Sequence, residues 1–105
     1  MPDDPVPVAC NLTATAQQAR QVEVAQLLAA VEARRELEDG YAFRFPGSEE
    51  WAARLLAFIT AERRCCPFFT FDLRFEPEQG PIWLSLRGGE EVKRFVREWR
   101  VEIGD

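Results

Sequence analysis

Two adjacent cysteines, Cys65 and Cys66, follow Glu62 by about one helical turn in the stretch "ERRCCPFF". Residues at i, i+3 and i+4 lie on the same side of a helix, so the carboxylate and both thiols share one neighbourhood. A third thiol, Cys10, precedes the first predicted helix. Three thiolates suit Zn(II), Cu(I), Hg(II) or As(III). We therefore predict a soft metal or metalloid site at Cys10, Cys65 and Cys66, with Glu62 as a weak or outer ligand.

The position of the cysteine pair favours a ligand over a catalytic nucleophile. Cys65 falls at the C-terminal end of a predicted helix, where the helix dipole opposes the negative charge of a thiolate. A bound metal ion, by contrast, deprotonates a thiol that coordinates it. The redox spacing Cys-x-x-Cys is missing, and a disulfide between adjacent residues would distort the peptide between them. A thiol redox sensor or a thiol-dependent enzyme, with Glu62 as proton acceptor, is the weaker alternative.

A purely structural role for the cysteines is the simpler alternative. Free cysteine is among the most buried residue types and packs as a small hydrophobic side chain. Glu62 would then pair with Arg34, Arg35 or Arg44. On this interpretation the chain is a protein-interaction module, and the sequence leaves both interpretations open.

Composition excludes several other classes of function. The chain has no histidine, so Ser/His/Asp and Cys/His catalysis and histidine-containing zinc sites are excluded. The pair Gly88-Gly89 lacks the other residues of a phosphate-binding loop. The net charge is −5 with mixed signs along the chain, so we expect no binding to nucleic acid. No apolar run approaches the roughly 20 residues of a membrane span, and we expect a cytoplasmic protein that does not bind membranes.

The first half of the chain predicts one helix and one hairpin. We expect a flexible tail at residues 1–9 and a single domain over 10–105, which is long enough for one core. A helix capped by Thr13 or Thr15 should run to about Ala30. Its predicted apolar stripe consists of Val22, Ala25, Leu28 and Ala29. The pair Asp39-Gly40 then predicts a hairpin turn between two extended runs.

The second half predicts a helix, a second hairpin and a last helix. Ser48 should cap the helix, and Pro67 should end it. Its predicted buried side chains are Trp51, Leu55, Phe58 and Ile59. Alternating apolar residues predict strands around residues 68–75 and 82–87, and a final helix should span about residues 89–100. The order α-ββ-α-ββ-α predicts an α+β domain with an antiparallel sheet of about four strands and helices on one face.

The other face of this predicted sheet would carry two large aromatic residues, Trp83 and Phe68. Aromatic side chains among charges on an uncovered sheet face are typical of interfaces. Either this face is the surface of a homodimer or the docking site of a protein partner, or the first helix or the N-terminal segment covers it.

Three segments of the chain are distinctive: "CNLT" from Cys10, "DGYAFRFP" from Asp39 and "ERRCCPFFTFDL" from Glu62. Together they resemble a family of small bacterial domains that occur alone or fused to MerR-like metal-responsive regulators. The likeness covers nearly the whole chain, and its core is Glu-x-x-Cys-Cys-x-Phe-x-x-Phe. It implies sensing or sequestration of a soft metal, with Cys10, Glu62, Cys65 and Cys66 as the matching positions. The chain lacks the DNA-binding helices of such regulators, so a stand-alone binding domain is expected.

Overall fold

The structure is a computed structural model that describes residues 22–97, in which three helices and a four-stranded antiparallel sheet alternate in the order α-ββ-α-ββ-α. The predicted α+β class is therefore confirmed. The elements are α1 (22–28 within the described range), β1 (Ala33–Leu37), β2 (Gly40–Phe45), α2 (Glu49–Cys65), β3 (Thr70–Phe75), β4 (Ile82–Arg87) and α3 (Glu90–Arg97). The predicted N-terminal tail, the caps at Thr13 or Thr15, and residues 98–100 of the last helix lie outside the described residues.

The strands are arranged in the order β1-β2-β4-β3, so β4 lies between the two strands that α2 connects. Phe43 of β2 is opposite Leu84 of β4, and Leu84 is opposite Leu73 of β3. Side chains alternate between faces along each strand, so these three residues share one face of the sheet. We call this the inner face, because its residues form one buried cluster with side chains from all three described helices.

The first hairpin forms one residue earlier than its sequence signal suggests. Leu37 is paired with Gly40, so the two-residue loop is Glu38-Asp39 and Gly40 is the first residue of β2. A Cβ atom on Gly40 would lie 1.8 Å from the carbonyl oxygen of Leu86 in β4. The glycine is thus required for the close approach of β4, since real atoms cannot come so near.

The second hairpin is closed by a tight turn between β3 and β4. The Gly80 N–H donates to the Pro77 carbonyl at 3.1 Å, and the two central residues, Glu78 and Gln79, have φ of 61° and 60°. Positive φ at both central positions defines the primed type of turn, whose twist matches that of paired strands. Here the chain accepts two non-glycine residues in the left-handed region to make that turn.

Helix α2 begins and ends where its sequence predicts. The Ser48 hydroxyl oxygen accepts a hydrogen bond from the Trp51 N–H at 3.1 Å, which satisfies one exposed donor of the first turn. The helix ends at Cys65, two residues before Pro67. Leu55 and Phe58 are buried as predicted, at 0% and 8% exposure. The inner side of α2 is therefore anchored in the core.

Helix α1 buries Leu28 of its predicted stripe, but the rest of its buried face differs from the prediction. Its core residues are Val24, Leu27 and Leu28, whereas Val22 is 58% exposed and Ala29 is also exposed. Both sets fit helical spacing, but the observed set buries more apolar area because it contains two leucines. None of the helices within residues 22–97 has the length and apolar character that crossing a membrane requires.

Candidate functional site

Glu62 and Cys66 are one helical turn apart at the end of α2, and both are buried. Each residue is only 2% exposed, and the Cys66 N–H donates to the Glu62 carbonyl oxygen at 2.7 Å. Cys66 belongs to the same apolar cluster as the inner-face side chains of the sheet. A carboxylate and a thiol are therefore close to each other along the helix and enclosed by the protein interior.

A buried carboxylate is costly unless it is hydrogen-bonded, paired or close to a bound cation. The three arginines predicted as partners of Glu62 lie on different faces of the sheet. Arg44 forms an ion pair with Glu32 at 3.3 Å, and Arg35 stacks on Trp83 with its guanidinium 4.8 Å from a ring centroid. By strand alternation both lie on the face of the sheet away from α2. Only Arg34 lies on the same face as the helices, with its guanidinium 5.4 Å from the Tyr41 ring centroid.

The other two predicted ligands are not placed by the structure. Cys10 lies outside the described residues. Cys65 is the last residue of α2, and its side chain also lies outside what is described. Within residues 22–97, no group of three or more His, Cys, Asp or Glu side chains is arranged to hold a metal ion. The site of Cys10, Cys65, Cys66 and Glu62 accordingly stays a prediction.

The environment of Cys66 disfavours a role as catalytic nucleophile. The residue caps the C-terminal end of α2, where the helix dipole disfavours negative charge, and it is almost completely shielded from solvent. Reactive cysteines are partly exposed and lie in electropositive surroundings. Arg63 and Arg64 of the same turn are exposed to solvent.

The outer face of the sheet, opposite the helices, is polar and centred on Trp83. Arg44 and Arg74 are its direct cross-strand neighbours, and the Arg35 guanidinium covers its ring. Nearby, Arg87 forms ion pairs at 2.8 Å with both Asp39 and Asp72. The hydrogen bonds to these two carboxylates raise the pKa of the Arg87 guanidinium. This face is a charged surface around a half-buried tryptophan.

Phe68, predicted to lie beside Trp83, lies elsewhere. Its ring packs edge-on against Phe95 of α3 at a centroid distance of 5.2 Å, and against Phe69 at 4.7 Å. The prediction of a shared aromatic surface is therefore wrong. The prediction assumed that the alternation of the strand includes Phe68. However, β3 begins only at Thr70, and Phe68 lies in the connection between α2 and β3.

The sequence analysis missed a buried cation, Lys93 of α3. Its ammonium donates to the Glu36 carboxylate of β1 at 2.6 Å and lies 5.8 Å from the Tyr41 ring centroid. The hydrogen bond to Lys93 holds the pKa of Glu36 below its ordinary value, and the same bond raises the pKa of Lys93. Glu36 lies opposite Tyr41 on the inner face, which alternation along β1 could have revealed. Its partner, however, is 57 residues further along the chain.

Comparison of the chain with family models, with curated proteins and with solved structures gives no match. The resemblance to domains fused to MerR-like regulators therefore stays a prediction. The described residues define an α+β domain with its helices on one face of an antiparallel sheet.

Proposed function

We propose that this chain binds a soft metal or metalloid through the thiolates of Cys10, Cys65 and Cys66 and has no enzymatic activity. The observation that carries the proposal is the burial of Glu62 one helical turn before the buried Cys66. Glu62 acts as a weak ligand or as a neighbouring charge that draws a cation towards the thiols.

Burial strengthens the attraction between a carboxylate such as that of Glu62 and a cation. A carboxylate in an apolar interior attracts a positive ion much more strongly than one in water, because the effective dielectric constant is lower. The ion in turn lowers the cost of keeping the carboxylate and thiolates charged. The same environment protects the Cys66 thiol from oxidation, since oxidation requires access to the sulfur.

Charge balance indicates which acceptor should bind best. Three thiolates neutralise As(III), whereas they leave a net charge of −1 on Zn(II) and −2 on Cu(I). Uncompensated charge is expensive away from water, so a neutral complex is favoured over a charged one. Arsenite, which releases three waters when three thiols replace its hydroxyl groups, is therefore the first candidate, and Hg(II) bound by two of the thiolates is the second.

Equilibrium dialysis of the reduced protein against arsenite, Hg(II), Zn(II) and Cu(I) tests the proposal. We expect one equivalent to bind to the native chain and none to the variant Cys10→Ser/Cys65→Ser/Cys66→Ala. Alanine is used at position 66 because a hydroxyl there would be buried. Circular dichroism must first establish that the variant is folded. Equal uptake by both folded proteins would contradict the proposal and leave the cysteines as core residues.

Single variants separate the roles of the four residues. Loss of any one of the three thiols should weaken arsenite binding by at least about tenfold, since each contributes one bond. Glu62→Gln keeps the shape of the side chain and removes its charge, so it should weaken binding less than loss of a thiol does. If Cys10→Ser binds as tightly as the native chain, the first cysteine is not a ligand.

A further inference from the structure

The solvent side of α2 carries an uncharged patch. We define the α2 patch as Ala53, Leu56, Ala57 and Thr60, which are all exposed and lie on one side of the helix by their spacing. Leu56 is 59% exposed, although a leucine on a monomeric surface helix is usually replaced by a polar residue. The Thr60 hydroxyl already donates to the Leu56 carbonyl at 2.9 Å, so covering it would leave no unsatisfied donor.

Opposite charges flank the α2 patch at its two ends. Glu49 and Glu50 form the first turn of α2, and Arg63 and Arg64 lie in its last turn; all four side chains are exposed. The midpoint between residues 49 and 64 falls between Leu56 and Ala57, which is also the midpoint of the patch. The charges at the two ends of the exposed side of α2 are therefore antisymmetric about its centre. Arg54 is also exposed, but its guanidinium lies over the Trp51 ring, 4.3 Å from the centroid.

We propose that a second copy of this chain docks on the α2 patch, with the two α2 helices antiparallel about a two-fold axis between Leu56 and Ala57. This arrangement sets the acidic end of each helix against the basic end of its partner. A parallel arrangement would set like charges together. Alanines at positions 53 and 57 let the helices approach closely, and each Leu56 packs into the groove beside the partner's Ala57.

The charge pattern distinguishes the α2 patch from the outer sheet face as a self-association surface. On that face Arg44 and Arg74 already form ion pairs within the chain, with Glu32 at 3.3 Å and Glu76 at 3.0 Å, and the Arg35 guanidinium covers the Trp83 ring. A pair of α2 helices about 25 Å long buries less area than a standard interface, and the dimer should therefore be reversible. The proposal involves no thiol and holds whether or not a metal binds.

Sedimentation equilibrium of the reduced chain at low ionic strength tests the proposal directly. We expect the average mass to rise towards that of a dimer with concentration, and Leu56→Glu to keep the chain monomeric. Phe75→Glu is the matched control: Phe75 is 57% exposed on β3, and the same substitution there should leave the dimer intact. A native chain that stays monomeric, or a dimer that survives Leu56→Glu, overturns the proposal.

A charge-swap experiment tests the antiparallel geometry. The variants Glu49→Lys/Glu50→Lys and Arg63→Glu/Arg64→Glu should each raise the dimer dissociation constant by about tenfold or more, because like charges then face each other. An equimolar mixture of the two should form a heterodimer. Circular dichroism checks that α2 is retained in both variants. A mixture that stays monomeric contradicts the antiparallel pairing of the two helices. A dimer that dissociates on Trp83→Glu, and not on the charge swaps, shows that the outer sheet face is used.

Discussion

At the scale of single residues, the enclosure of Cys66 makes its sulfur a sensitive reporter of the fold. The residue is 2% exposed and packs in the same cluster as the largest core side chains. A reagent can reach such a sulfur only when the surrounding structure opens, so its reaction rate follows the population of open states.

We expect alkylation of Cys66 to be slow in the folded protein. In the variant Cys10→Ser/Cys65→Ser, iodoacetamide should modify the remaining thiol on the order of 100-fold more slowly under native conditions than in guanidinium, because opening is rare. Mass spectrometry of quenched samples measures the rate, and free cysteine provides the reference rate in each solvent. Equal rates in both conditions would show that the thiol is accessible and would support the alternative of a thiol-dependent enzyme.

At the scale of secondary-structure elements, α2 uses its two sides for different purposes. Leu55 on the inner side has 0% exposure, whereas its neighbour Leu56 on the outer side is 59% exposed. The inner side anchors the helix in the core and carries Glu62 towards the interior. The outer side contributes nothing to the core and is available to a partner.

Adjacent leucines in α2 should therefore differ sharply in their effect on stability. Leu55→Ala should lower the free energy of unfolding by about 2–5 kcal/mol, because it leaves a cavity in the core. Leu56→Ala should change it by less than about 0.5 kcal/mol, since the side chain is solvated. Urea unfolding at protein concentrations that keep the chain monomeric measures both. Comparable losses in the two variants would mean that α2 packs on a different face.

At the scale of the whole molecule, the Lys93–Glu36 pair connects the last described helix to an edge strand of the sheet. The pKa of Glu36 is held below its ordinary 4.5, mainly by the hydrogen bond from Lys93, and that of Lys93 is raised above 10.5. The unfolded chain therefore takes up a proton on Glu36 at a higher pH than the folded chain does. The pair therefore stabilises the fold fully when the pH lies between the ordinary pKa of Glu36 and that of Lys93. This stabilisation is lost as the pH falls below the first value or rises above the second.

Acid should weaken the fold partly through this pair. As the pH falls from about 5 towards about 3, the free energy of unfolding should decrease, because the unfolded state binds more protons than the folded state. Glu36→Gln should be less stable than the native chain at neutral pH and should lose less stability on acidification. Urea unfolding across this range measures both slopes. Glu38→Gln, a change in the exposed hairpin loop, is the control. If the free energy of unfolding of this variant depends on pH as weakly as that of Glu36→Gln, the pair is not responsible.

Features that depend on near neighbours along the chain could be predicted from local patterns. Alternation predicted a strand around residues 82–87, and Ser48 predicted the start of α2. Both predictions are confirmed, and Ile82, Leu84 and Leu86 of that strand are buried. Helical spacing also predicted that Glu62 and Cys66 lie together, because one turn of helix fixes their separation. The α+β class followed from the order of such local patterns.

Other features depend on distant parts of the chain and follow from tertiary packing. These are the strand order β1-β2-β4-β3, the packing of Phe68 on α3, the choice of buried face on α1, and the pairing of Lys93 with Glu36. Several arrangements satisfy the same local spacing, and the one that buries the most apolar area while pairing its charges is selected by contacts among all the elements at once.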